Sequence, residues 1–177
     1  MPSGELGRFE AIALPHLDAA YTLARHLTGN PADAEDVVQD AFLRALKYFD
    51  GFRGEGARDG RAWILAIVRN TAHTWRRRQR PEAVAAEFDE RIHSESVAHA
   101  HPESALLAAA TRESLSRELD QLPPEFREVI ILRELQGLSY KEIADVTGVP
   151  VGTVMSRLSR ARQRLQRALS GEGGERL

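Results

Sequence analysis

The stretch that decides the fold is residues 138–165, which read LSYKEIADVTGVPVGTVMSRLSRARQRL. Ser139 followed three residues later by Glu142 is a capping box, which starts a helix. Gly148 stands where a short turn between two helices requires a left-handed backbone. Val154 supplies an apolar side chain to the second helix. The stretch therefore predicts a helix-turn-helix.

The second helix of this motif is free of acidic residues and would carry a set of polar side chains on its outer face: Thr153, Ser156, Arg157 and Arg160. In helix-turn-helix proteins this helix enters the major groove, where arginine can pair with guanine. A plain helical hairpin with a solvated basic face is the competing interpretation. The spacing favours DNA binding, although repressors and other regulators carry the same motif.

Composition places the chain among ordinary globular proteins. Its 177 residues allow one domain or two small ones, and 42% of them are hydrophobic and 28% charged. With no cysteine, disulfides, thiol catalysis and cysteine-bound zinc are excluded. The first residues, MPSGELGRFE, lack a basic segment followed by an apolar run, and no stretch approaches ~20 apolar residues. We expect a cytoplasmic protein without membrane insertion.

The net charge of −2 conceals a separation of the two signs along the chain. Residues 61–80 hold six arginines and no acid, and residues 151–170 hold five arginines and no acid. Acidic residues gather instead in residues 30–40 and after Pro81. Two basic segments indicate two nucleic-acid contacts, and the acidic segments should face elsewhere.

Apolar residues recur at helical spacing and alternating β-branched runs are missing, so the sequence predicts an all-α protein. A first helical stretch, bent near Pro15, should end at Gly29, and Asn30 with Pro31 should start the next helix, which runs to about Phe49. The glycine-rich residues 50–60 have the composition of a mobile loop.

The expected domains are residues 5–80, a linker at 81–110, a second domain at 111–170 and a disordered tail at 171–177. The first domain ends where Pro81 stops its last helix. Proline and glycine then divide the second domain: Pro123 and Pro124 end its first helix, and Gly137 ends its second.

From about Phe9 to Ala168 the chain resembles the extracytoplasmic-function (ECF) group of bacterial sigma factors. Three linked motifs carry the resemblance. They are AEDVVQDAFLRAL at 34–46, RAWILAIVRNTAHTWRRR at 61–78, and LPPEFREVIILRELQGLSYKEIADVTGVPVGTVMSRLSRAR at 122–162. In this family they look like the polymerase-binding helix, the segment that reads and melts the −10 element, and the domain that reads the −35 element.

The resemblance implies two small helical domains joined by a flexible linker, an alternative sigma factor that directs core RNA polymerase to promoter DNA, and an inhibitory anti-sigma factor. It implies that polymerase is bound by Asp36, Gln39 and Asp40. The melted −10 strand would be bound by Trp63, Arg69, Asn70, His73, Arg76 and Arg77, and the −35 duplex by Thr153, Ser156, Arg157 and Arg160. Arg160 is the candidate for base readout and Arg157 for a phosphate. Met155 departs from the basic residue usual at its position.

Two other interpretations stay open from the residues themselves, and an enzyme or a metal site is not among them. No catalytic constellation or phosphate loop is visible, so we expect no enzyme, no cofactor and no metal. His93, His99 and His101 are expected to be solvated rather than metal ligands. A helix-turn-helix regulator that binds an operator as a dimer, or a helical protein-interaction module, would also fit parts of the chain. The first leaves residues 34–46 and 61–80 without a role, and the two arginine-rich segments count against the second.

Overall fold

The computed structural model describes residues 3–79 and 112–171, and within them the chain is helical and contains no strand. The first part consists of four helices: α1 (Ser3–Ala13), α2 (Leu17–Thr28), α3 (Pro31–Lys47) and α4 (Ala57–Gln79). Short 3₁₀ turns at Leu14–His16 and Phe49–Gly51 connect them. The second part consists of α5 (Arg112–Gln121), α6 (Pro124–Ile130), α7 (Tyr140–Thr147) and α8 (Val151–Leu169). A π-helical turn at Ile131–Leu135 continues α6.

Local sequence signals set several of these helix ends. Gly29 closes α2 with φ +83°, a left-handed conformation that glycine adopts without strain. Asn30 then caps α3, and its side-chain oxygen accepts a hydrogen bond of 2.9 Å from the backbone N–H of Asp33. Pro31 occupies the first turn of α3, where its missing N–H costs nothing. The predicted boundary between the first helical stretch and the polymerase-motif helix is confirmed.

The core of the first domain includes a cluster of aromatic rings beneath the segment between α3 and α4. The rings of Phe49 and Phe52 are stacked with their centroids 6.0 Å apart, and the centroids of the Phe52 and Trp63 rings are 4.7 Å apart. Phe9 meets Phe49 edge-on at 5.4 Å. Buried aromatic rings contribute large apolar areas. Part of the segment predicted as a mobile loop is therefore anchored by its own side chains.

The predicted loop at 50–60 is wrong in its last residues, because α4 begins at Ala57 and includes Gly60. Gly60 is buried against α1: a Cβ there would lie 2.8 Å from the carbonyl oxygen of Ile12 and would overlap the Ile12 side chain. This glycine permits two helices to approach closely and does not loosen the backbone. Composition alone could not distinguish these two uses of glycine.

The second domain encloses its own apolar side chains, and the deepest of them come from all four of its helices and the π-helical turn: Leu119, Phe126, Ile130, Leu132, Ile143, Leu158 and Leu165. Gly137 and Gly148 have φ +67° and +72°, so the turns before and after α7 are left-handed; the sequence predicts this conformation at Gly148. The two domains also contact each other, because α7 packs along α4 and α6 packs against α2.

The expectation of an all-α protein with two helical domains is confirmed. The linker prediction, the tail after Gly171 and the histidines His93, His99 and His101 lie outside the described residues. Among the described helices, none combines the length and the apolar character that crossing a membrane requires.

Replacing Gly60 with alanine should destabilise the first domain by about 1 to 3 kcal/mol, because the new methyl group must push α1 away from α4. Gly7→Ala is the matched control: Gly7 lies exposed on α1 with nothing within 4 Å of its added Cβ. Since glycine is a poorer helix former than alanine, the control should be neutral or slightly stabilising. Denaturant unfolding measures the stability of both variants. A Gly60→Ala variant as stable as the Gly7→Ala variant would contradict the close contact between α1 and α4.

Candidate nucleic-acid interface

The helix-turn-helix is formed by α7 and α8, and a complete capping box starts it. The Ser139 hydroxyl accepts a hydrogen bond of 3.1 Å from the Glu142 backbone N–H, and the Glu142 carboxylate accepts one of 2.6 Å from the Ser139 backbone N–H. This backbone hydrogen bond lowers the pKa of Glu142, against a smaller opposing effect of burial. Val154 is fully buried between the helices. The predicted architecture of the motif is confirmed.

The face of α8 that should meet DNA is partly apolar. The predicted contacts Thr153, Ser156, Arg157 and Arg160 are all half-buried, and the Ser156 hydroxyl donates to the Thr153 carbonyl over 3.0 Å. The most exposed large side chains at this end of α8 are Val151 and Met155, which lie one helical turn apart. Met155 therefore places an exposed apolar side chain on this face of the helix. Apolar side chains in the major groove can contact the methyl group of thymine.

The side chains predicted to bind the −10 strand lie along α4, and the second domain engages two of them. Arg69 donates through Nε and Nη2 to the Glu128 carboxylate at 2.8 and 3.0 Å. His73 Nε2 lies 3.0 Å from the same carboxylate. Glu128 is on α6 and is fully buried, whereas Arg69 and His73 retain 19% and 27% of their side-chain exposure. The contact joins the two domains.

The electrostatics of Glu128 indicate a well-satisfied buried carboxylate. Burial alone raises the pKa of Glu128, but hydrogen bonds from His73 and Arg69 and the charge of Arg69 outweigh it, so the net pKa lies below the ordinary value. The group is therefore an anion at neutral pH. An unpaired anion in this position would be very costly, which makes its two partners essential to the docked arrangement.

The remaining residues predicted for the −10 site differ in their surroundings. Asn70 and Arg77 are exposed, and Arg76 is half-buried. The Asn70 side-chain oxygen accepts a long hydrogen bond of 3.4 Å from Arg69 Nη1. Trp63 packs into the aromatic cluster with Phe52, so its ring is partly buried against the core. The structure therefore brings Arg69, Asn70 and His73 together and places Trp63 apart in the core.

The acidic face predicted for polymerase binding is fully presented on α3. Asp36, Gln39 and Asp40 are exposed and share one side of the helix, and Asp40 accepts a hydrogen bond of 3.0 Å from Arg44. Beside them lies a groove of about 480 Å³ between α2 and α3. Its lining mixes apolar and acidic side chains: Leu17, Asp18, Tyr21, Glu35, Val38, Gln39 and Phe42. Such a surface suits a basic partner helix with apolar side chains.

Two residues that matter most at the domain contact were missed from the sequence, Arg127 and Glu128. Arg127 Nη1 donates to the carbonyl oxygen of His26 on α2 over 3.0 Å, while its Nε and Nη2 bind carbonyl oxygens at the end of α5. Burial lowers the pKa of Arg127. The available signal was Glu128 itself, an acid that directly precedes the apolar residues Val129 to Leu132. Sequence periodicity could mark it as unusual but could not supply its partners.

Two arginine-bearing helices, α4 and α8, together with a complete helix-turn-helix, define a two-domain helical DNA-binding protein. Comparison with known proteins makes this class specific. Residues 12–82 match the family described as Sigma-70 region 2, and residues 112–165 match Sigma-70, region 4.

Individual relatives agree with these family matches. The chain is 35% identical over 170 residues to the ECF RNA polymerase sigma factor SigE of Mycolicibacterium smegmatis, covering 94% of this chain and 63% of that protein. It is 39% identical over 137 residues to the ECF RNA polymerase sigma-E factor of Escherichia coli K12, covering 74% of this chain and 71% of that one. The sigma factor RpoE of Bartonella quintana, solved with the anti-sigma factor NepR, is similar in structure, with a TM-score of 0.67 and 33% identity over 89% of this chain and 93% of that chain.

The chain belongs to the ECF subfamily of bacterial RNA polymerase sigma factors. It is thus an alternative sigma factor, a factor of transcription initiation.

Proposed function

We propose that this sigma factor binds core RNA polymerase through Asp36, Gln39 and Asp40, reads the −35 duplex with α8, and captures the melted −10 strand with α4. The observation that carries the proposal is the separation of acidic and basic side chains onto different helices of the surface. The acidic face on α3 repels DNA and suits a basic protein surface, whereas α4 and α8 carry the cations that phosphates require. We place the protein in the cytoplasm because its polymerase acts there.

The proposed domains follow the sequence boundaries, residues 5–80 for polymerase and the −10 element and residues 111–170 for the −35 element. Arg160 is proposed for base readout and Arg157 for a phosphate. On α4, Asn70 is exposed and can bind the edge of an unstacked base, while Arg76 and Arg77 at the end of the helix can bind phosphates. The proposed reaction requires no covalent chemistry by this chain.

We also propose an anti-sigma factor as a partner. The similar Bartonella sigma factor was solved in complex with one. On this chain the groove between α2 and α3 and the acidic face next to it offer a continuous surface that such a protein could cover, in competition with polymerase.

The test is in vitro transcription with purified core polymerase on a library of promoter sequences, with and without this protein. We expect new transcripts whose promoters share two short elements about two helical turns apart, because each domain contacts one element. A protein that gives no transcripts and binds duplex DNA tightly on its own would instead be an operator-binding regulator.

Charge removal at Asp36 should weaken polymerase binding. Asp36→Asn keeps the size of an exposed side chain while deleting its charge, so we expect several-fold weaker binding to core polymerase and no change in unfolding. Glu10→Gln removes an equally exposed acid on α1, outside the proposed surface, and should leave affinity unchanged. Titration of labelled protein with core polymerase measures both. Equal affinities for the two variants would remove Asp36 from the interface.

Loss of the readout arginine should reduce promoter selectivity. Arg160→Ala is expected to cost about 1 to 3 kcal/mol of discrimination at one position of the −35 element, because one bidentate base contact disappears. Arg167→Ala removes an exposed arginine near the end of the same helix and should have little effect on selectivity. Sequencing of bound DNA from a randomised −35 pool compares the three proteins. Unchanged preferences for Arg160→Ala would contradict the assignment.

A further inference from the structure

Glu128 holds two of the side chains that the family resemblance assigns to the −10 strand, Arg69 and His73. Arg69 donates two parallel hydrogen bonds to the Glu128 carboxylate. His73 contacts Oε2, the atom that also accepts from Arg69 Nε. A guanidinium binds a phosphate group through the same pair of parallel bonds that it uses for a carboxylate. The carboxylate of Glu128 therefore occupies an anion site on α4.

We propose that Glu128 is an intramolecular competitor of the −10 strand, so that the docked arrangement of the two domains is an autoinhibited state. The domains must separate at the α4–α6 contact before Arg69 and His73 can bind a phosphate. This inference rests on the proposed role of these two residues in strand binding. The contact of Glu128 with Arg69 and His73, here called the latch, is a property of the chain alone.

Burial makes the competition effective. Glu128 has no exposed side-chain surface, and α7 packs along the same helix α4, so DNA cannot reach the carboxylate-bound atoms from the side of the second domain. Breaking a buried ion pair by removing one partner is strongly unfavourable, because the other charge stays buried without compensation. Separation of the domains avoids that cost, since it returns all three groups to water together.

A second contact supports the docked state at the other side of α6. Arg127 donates to the His26 carbonyl on α2, and His26 Nδ1 lies 4.0 Å from Asp120 on α5. Arg127 and Glu128 are neighbours in sequence, so one turn of α6 contacts α2 and α4 at once. The docked state therefore rests on two contacts, and of Arg127 and Glu128 only Glu128 engages side chains proposed to bind the strand.

The test replaces Glu128 with glutamine, which keeps the shape and removes the charge. The matched control is Glu134→Gln: Glu134 lies just beyond α6 and pairs with Arg162 at 2.6 Å, but both partners belong to the second domain. Because the chain has no cysteine, two introduced at the exposed positions Glu10 and Gln163 take a donor and an acceptor dye for energy transfer between the domains.

We expect Glu128→Gln to shift the docked-to-separated equilibrium at least about tenfold toward separation, and Glu134→Gln to leave it as in the parent. Affinity for a randomised pool of fluorescent single-stranded DNA should rise in Glu128→Gln by a similar factor, since the competing anion is gone. Arg69→Gln breaks the latch from the first domain and should also separate the domains, but without the gain in DNA affinity. The Arg69→Gln variant keeps the test decisive if circular dichroism shows that Glu128→Gln does not fold.

Energy transfer unchanged in both Glu128→Gln and Arg69→Gln would overturn the latch. Separation of the domains with no gain in strand affinity would overturn the competition while leaving the domain contact intact. The energy-transfer result does not depend on transcription, so failure of the proposed sigma activity and failure of the latch are distinguished by separate measurements.

Discussion

The buried contact of Glu128 with Arg69 and His73 is the interaction on which the relation between the two domains depends. Apolar packing also joins the helices, and it is less directional than a hydrogen bond. A carboxylate with no exposed surface is different, because it is stable only where its hydrogen-bond donors are correctly placed. Such a contact contributes little net stability, yet it selects one arrangement of the domains over others. Specificity of docking is therefore its main physical consequence.

The proposed competition by Glu128 also bears on nonspecific DNA binding, because Glu128 engages side chains that we assign to the −10 strand. Cations that are free to bind phosphate anywhere favour nonspecific association with DNA. In the proposed docked state the Glu128 carboxylate occupies hydrogen-bond donors of Arg69 and contacts His73, so such association would be reduced until the domains separate. The cost of opening would then be offset by a partner that supplies new contacts to the exposed surfaces.

Features fixed by local geometry could be predicted from the sequence. The capping box at Ser139 and the left-handed Gly148 depend on residues within a few positions, and the structure reproduces both. Gly60 shows the limit of such predictions. Its close contact is with Ile12, 48 residues away in the sequence, whereas local composition assigned Gly60 to a loop. Glu128 shows it again: its partners are 59 and 55 residues distant, and no local pattern encodes that distance. The functions assigned to exposed residues came from family resemblance rather than from periodicity.

The position of the acidic face relative to the latch favours an order of events. Asp36, Gln39 and Asp40 lie on α3 and remain exposed while Arg69 and His73 are engaged. In the proposed function, a polymerase surface that binds them meets no competition from the docked second domain, whereas the −10 strand does. Polymerase would then bind first and contribute the free energy that opens the domain contact, and Arg69 and His73 would become available where a melted strand is held nearby. Under this proposed order, a single buried carboxylate would couple promoter opening to polymerase binding.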